Sequence, residues 1–210
     1  MEKLDLTRVQ ADEMVSNLEA FTPEERVEVV ASYEQIHKTQ EEFKASLTLQ
    51  GMELIMIEAD GNCLFRACSQ ILYGTQEHHK MLREAACRYI AKNPNACGLR
   101  EGEDRNKGLK SYDGDLGTYL KDLAKETVWG DDAALRAICQ VHQRYAVVYV
   151  SSAGEGAVEH PEFRAEDNVA GLPLLPLANT NGLSHFNALE STLVRSLRLK
   201  TKPGKIESKI

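Results

Sequence analysis

Apolar positions first recur along the chain with a helical period. Ala11, Met14, Val15, Leu18 and Phe21 follow a capping-box pattern at Thr7 to Gln10, which predicts a short amphipathic helix. A second helix starts at Thr22-Pro23-Glu24-Glu25. Threonine is the cap, proline sits where its missing N–H costs nothing, and Glu25 returns the capping bond. A narrow stripe of Val29, Tyr33, Ile36, Phe43 and Leu47, between charged faces, carries this helix to about Ser46. A short apolar run, Leu54 to Ile57, then passes through a polar turn into a helix-competent segment at Cys63. Ala67, Cys68, Ile71 and Leu72 share one face of that segment, and Gly74 is placed to end it. A third helix from about Glu77 to Lys92 buries Met81, Leu82, Ala85, Ala86, Tyr89 and Ile90 and stops before Asn93-Pro94.

Residues 93 to 114 lose the period and gain glycine and charge, which predicts a long loop, either a binding or gating element or a plainly mobile one, with Cys97 exposed in it. Helices follow at about Asp115 to Lys125 and Asp131 to Gln143. Tyr145 to Ser151 is almost wholly apolar, as expected of a strand buried on both faces. Ser151 to Asn168 reads as a loop. Leu172 to Leu177 reads as an edge strand or a strand approaching one, because Pro173 and Pro176 cannot donate to a central ladder. Asn179-Thr180-Asn181-Gly182 is a turn delivering the strand Ser184 to Leu189, and from Arg195 the chain becomes a basic tail, either solvated and frayed or a localisation signal or contact for an anionic partner. The organisation expected is a helical extension over 1–50, a catalytic domain over 51–194 and a tail over 195–210. The extension is either an arm covering one side of the domain or a helix that contacts substrate or a partner.

With 210 residues the chain can bury one good core. Its formal net charge of −7 argues against a general nucleic-acid binder and suits a basic partner surface. Five cysteines at 63, 68, 87, 97 and 139 form no C-x-x-C pair and are odd in number, so free thiols in a reducing cytoplasmic or nuclear compartment are expected. Cys68 and Cys87 read as small buried hydrophobes. Nothing supplies the paired spacing of a zinc site, no cofactor is implied, and no run reaches membrane-span length. The expectation is a soluble monomer with no metal, nucleic-acid or membrane partner.

The chemistry concentrates at two places. If a helix begins at or just after Asn62, Cys63 lies in its first turn, where unpaired N–H groups favour a negative sulfur. Gly61 can adopt φ > 0, so that the backbone N–H groups of Asp60, Gly61, Asn62 and Cys63 can converge on an oxyanion beside the sulfur. Near the other end, His185 and Asn187 point to the same side of one strand, offering a base and the group that orients it. Of the six histidines, only His185 has such a neighbour. Asp60 is the charged alternative to Asn187 as orienter.

Asp60-Gly61-Asn62-Cys63-Leu64-Phe65-Arg66-Ala67 and His185-Phe186-Asn187 resemble the two signatures of the ovarian-tumour (OTU) cysteine proteases, which are deubiquitinases. His79-x-x-Leu82-Arg83, Trp129-Gly130-Asp131-Asp132 and the strand Ala146 to Val150 fit the spacing between them, and the resemblance covers roughly positions 51 to 192. It implies an α+β, papain-like OTU fold with a small, mostly buried sheet flanked by helices. It implies a Cys63-His185-Asn187 triad, with Asp60 in the loop that shapes the oxyanion hole. The implied partners are ubiquitin, polyubiquitin and ubiquitinated proteins. The implied reaction is thiol-dependent hydrolysis of the isopeptide bond after ubiquitin's last glycine, through a thioester. The alternatives are an inactive ubiquitin-binding module of the same fold and a hydrolase for another ubiquitin-like modifier.

Overall fold

The computed structural model describes residues 8–99, 116–152, 156–180 and 185–193. The cap expected at Thr7, the loop from 100 to 114, the end of the turn at Asn181-Gly182 and the basic tail lie outside the described residues. Helices α1 (Arg8–Ser16) and α2 (Pro23–Leu49) come first, followed by β1 (Met52–Ile55), α3 (Cys63–Tyr73), α4 (His79–Lys92), α5 (Leu116–Leu123) and α6 (Asp132–His142). The remaining strands are β2 (Tyr145–Ser152), β3 (Gly156–Glu159), β4 (Leu174–Thr180) and β5 (His185–Ser191). The fold is α+β, with one sheet in the order β1-β5-β4-β2-β3. By contacts the chain separates into two compact units, 1–55 with 151–157 and 189–210, and 56–150 with 158–188.

In the first unit, α2 owes its start to a complete capping box. Thr22 N–H donates to Glu25 Oε2 at 2.8 Å and Glu25 N–H donates to Thr22 Oγ1 at 3.3 Å. Pro23 opens the helix, and Val29, Phe43 and Leu47 are its buried positions, a subset of the expected stripe. α1 packs against α2, and His37 Nε2 meets Asp12 Oδ1 at 3.3 Å. The period that suggested one helix through Phe21 breaks after Ser16, and Leu18–Ala20 form a separate 3-10 turn.

The second unit holds the core. Leu64, Phe65, Ala67 and Cys68 from α3, Leu82, Ala86 and Ile90 from α4, and Leu135, Ala137 and Ile138 from α6 are 0 to 1% exposed, as are Leu175 and Leu177 of β4. Removing one such leucine or isoleucine side chain from water is worth about 1.5–3 kcal/mol. β4 runs parallel to β2, with Val148 opposite Leu177, and antiparallel to β5, with Thr180 opposite His185.

Four expectations need correcting. β4 is not an edge strand but lies between β5 and β2. Pro176 stands opposite Val147 in the register with β2, whereas the register with β5 begins one residue later, at Leu177, so the proline takes no part in the β5 pairing. Asn179 and Thr180, read as turn residues, extend that strand because Phe186 and His185 pair with them. The stretch 151–168 contains a strand, β3, held by Glu159, which accepts from Tyr149 O–H at 3.1 Å and from Ala165 N–H at 2.9 Å. Four residues are too few to show a period. Cys97 is buried, not exposed, at 2%. It ends a 3-10 turn, Pro94–Cys97, that packs on α4 and α6, and Gly98 at φ +82 turns the buried Leu99 back so that its N–H reaches Pro94 O at 3.0 Å.

Candidate active site

The turn that leads into Cys63 runs from Ile57 in the second unit. Gly61 has φ +81, and a Cβ added there would lie 2.8 Å from Thr127 Cα and 2.7 Å from Thr127 C, so only glycine lets the turn close against the 127 backbone. Asn62 follows as the residue capping α3 and Cys63 is the first residue of the helix, 6% exposed. The Asn62 side chain makes no capping bond to the helix.

Asp60 organises the turn from within. One of its oxygens accepts from Asn62 N–H at 3.0 Å. The other accepts from Asn62 Nδ2 at 3.0 Å and from Arg66 Nε and Nη2 at 3.0 and 2.7 Å. Arg66 also pairs with Glu58 at 3.0 Å. The Arg66 hydrogen bonds hold the Asp60 carboxyl well below the usual carboxylate range, so it stays charged at any ordinary pH. Its contacts bear on the shape of the turn, and it makes none with an imidazole among the described residues.

Asn62 is 3% exposed, and its side chain faces away from the helix it precedes. Its Oδ1 accepts from Arg83 Nη2 at 2.7 Å and from Thr127 N–H at 3.2 Å. Arg83, on α4, is 2% exposed and also donates to Leu123 O and Val128 O, each at 2.7 Å, while its guanidinium lies 4.1 Å over the Phe65 ring. Thr127 has φ +70, a left-handed conformation that costs a β-branched residue about 1–3 kcal/mol. These two residues were not singled out for chemistry from the sequence. One signal was there: Arg83 falls on the same stripe as His79, Leu82, Ala86 and Ile90, where a solvated arginine has no place.

The other half of the site is β5. His185 opens the strand, half-buried, and Asn187 lies two residues on, 2% exposed. The Asn187 amide is engaged on both atoms. Its Oδ1 accepts from Ile57 N–H at 2.9 Å and its Nδ2 donates to Thr180 Oγ1 at 3.2 Å. The histidine strand is therefore fastened to the segment leading into Cys63, 130 positions away in sequence. Among the described residues, no hydrogen bond joins Asn187 to the imidazole of His185.

The other four cysteines differ from Cys63 in where they sit. Burial pushes the thiols of Cys68 and Cys87 up, and those of Cys97 and Cys139 to about 11, so these sulfurs are protonated at neutral pH. None of them begins a helix after a glycine turn. All five are free thiols.

A family model described as OTU-like cysteine protease matches residues 58–170. The human OTU domain-containing protein 5 is 28% identical over 116 residues, covering 55% of this chain and 18% of that protein. An Arabidopsis thaliana protein named OVARIAN TUMOR DOMAIN-containing deubiquitinating enzyme 9 is 33% identical over 118 residues, covering 56% of this chain and 31% of its own length. The chain thus spans less than a third of either relative. Among solved structures, the OTU domain of OTUD1 superposes with a TM-score of 0.58 at 24% identity, over 74% of this chain and 97% of that domain, a likeness of fold.

Proposed function

The chain belongs to the OTU-like cysteine protease family, and on that premise we propose that it is a deubiquitinase that cleaves the isopeptide bond after ubiquitin's last glycine with Cys63 as nucleophile. The observation that carries the reading is the tie between the two ends of the chain: Ile57 N–H bound to Asn187 Oδ1 at 2.9 Å draws the His185 strand to the turn that presents Cys63. The name of the Arabidopsis relative supports ubiquitin as the modifier.

In the proposed reaction His185 takes the Cys63 proton and the sulfur adds to the glycine carbonyl. Backbone N–H groups of the turn from Asp60 to Cys63 hold the oxyanion, except that of Asn62, which is engaged by Asp60 Oδ1, in a loop already fixed by Gly61 and the Asp60 hydrogen bonds. The C–N bond breaks as His185 returns the proton to the departing lysine amine, leaving a thioester on Cys63. A water molecule, deprotonated by His185, attacks the thioester carbonyl and releases the ubiquitin carboxylate and the thiol. Asn187 acts here by holding strand β5 against Ile57, so that its contribution to the base is made through the backbone it fastens.

Incubation with the eight diubiquitins, followed on gels, tests the reading. Cleavage of at least one linkage by the wild type, with none by Cys63→Ala or His185→Ala of unchanged circular dichroism, is the expected result. A folded wild type that leaves all eight intact while reacting with a probe for another ubiquitin-like modifier would overturn ubiquitin as the substrate.

A further inference from the structure

A strong capping residue stands directly before Cys63, yet its side chain is held away from the helix. We infer that Arg83 is a positioning residue for the proposed hydrolysis, acting through Asn62 to keep the first turn of α3 open and the Gly61-Asn62-Cys63 backbone in its reactive shape. The inference rests on Cys63 being the nucleophile.

Asparagine ahead of a helix ordinarily accepts from the N–H two or three residues on. In this position those groups belong to Leu64 and Phe65, beside the sulfur. Asn62 Oδ1 instead receives Arg83 Nη2 at 2.7 Å and Thr127 N–H at 3.2 Å, and its Nδ2 is taken by Asp60 at 3.0 Å. The donors are fixed in turn. Arg83 is locked by two backbone carbonyls, Leu123 O and Val128 O, and by the Phe65 ring. Thr127 is held in a left-handed conformation between those two carbonyls. One buried guanidinium therefore joins the nucleophile turn to the 123–128 segment, and a planar fork is what lets it meet three acceptors at once. A lysine has the charge without the fork. Without Arg83, Asn62 Oδ1 keeps only the longer bond from Thr127 N–H at 3.2 Å, and the turn is held less firmly in its shape.

The test compares wild type, Arg83→Lys, Asn62→Ala and the double variant. The readouts are ubiquitin-rhodamine hydrolysis, thermal unfolding and amide hydrogen exchange over residues 58–63. We expect Arg83→Lys to lower kcat by about 10- to 100-fold with KM within about threefold, the size of effect that follows from misplacing reactive groups by about an ångström. The double variant should be no slower than the slower single one, because both changes remove the same link. Exchange should accelerate in 58–63 and not in α6. Losses of kcat that multiply in the double variant, or that match the unfolded fraction, would overturn the inference, as would acceleration spread evenly over the protein. Should Arg83→Lys not fold, Asn62→Ala decides alone: reduced kcat at nearly unchanged melting temperature supports the link, and retained kcat overturns it. Should wild type fail to cleave ubiquitin, the proposed function fails, and the exchange readout still decides whether Arg83 holds the turn.

Discussion

The starts of α2 and α3 are opposite uses of the same local chemistry. At α2, Thr22 and Glu25 satisfy each other's backbone N–H groups and the helix end is closed. At α3, Asn62 is equally suited to capping and makes no such bond, because Arg83, Thr127 and Asp60 hold its side chain. α6 follows the first pattern, with Asp131 accepting from Ala134 N–H at 3.0 Å. α4 also lacks a side-chain cap, but His78, which precedes it, is not among the preferred capping residues. Among the α-helices whose capping residue is described, only α3 has a good cap present and diverted, and that helix carries the candidate nucleophile. A closed helix end contributes stability, whereas an open one leaves donors and the positive end of the dipole to an anion from outside.

The contrast breaks most sharply at its two residues of greatest consequence. Cys63→Ala should lower ubiquitin hydrolysis by about 10^5- to 10^6-fold, as loss of a covalent nucleophile does, with little change in melting temperature. Asn187→Ala should act on both rate and stability. It leaves the buried Ile57 N–H without its acceptor, so chemical denaturation should show a loss of about 1–3 kcal/mol alongside a moderately reduced kcat. A variant with full stability and reduced kcat would assign Asn187 to the imidazole instead.

Asp60→Asn sharpens the comparison through pH. The Asp60 carboxyl is depressed below its unfolded value near 4 by its bonds with Arg66, so its contribution is complete above that pH and is lost as the pH falls toward the folded value. The stability deficit of Asp60→Asn should therefore be greatest at neutral pH and narrow below about pH 4, read from urea unfolding at a series of pH values. The smallest effect belongs to the closed helix end. Thr22→Ala should cost about 1 kcal/mol in urea unfolding and leave kcat unchanged.

Local signals were legible in the sequence and distant ones were not. The capping box at Thr22, the glycine turn before Cys63, the left-handed stop at Gly74, where φ is +76, and the strand carrying His185 each follow from a few adjacent residues. The position of β4 inside the sheet depends on which strands flank it, and prolines at 173 and 176 argued the other way. Cys97 is buried because α4 and α6 meet its turn, a fact that no short window contains. Arg83 was hidden by its type, since an arginine on a helix is ordinarily solvated and its three acceptors lie 21 to 45 positions away. Asn187 was legible as a site residue, but its bond to Ile57 spans 130 positions and appears only in the fold.

The central claim, that the sulfur at the open end of α3 is the one that meets ubiquitin's C-terminus, is tested most directly by one labelling measurement. Wild type and Cys63→Ala are reacted under reducing conditions with ubiquitin carrying a C-terminal propargylamide, and the adduct is located by intact mass and peptide mapping. The account predicts a single adduct on Cys63 in the wild type and none in the variant. An adduct on Cys68, Cys87, Cys97 or Cys139, or a folded wild type that stays unlabelled, would contradict it.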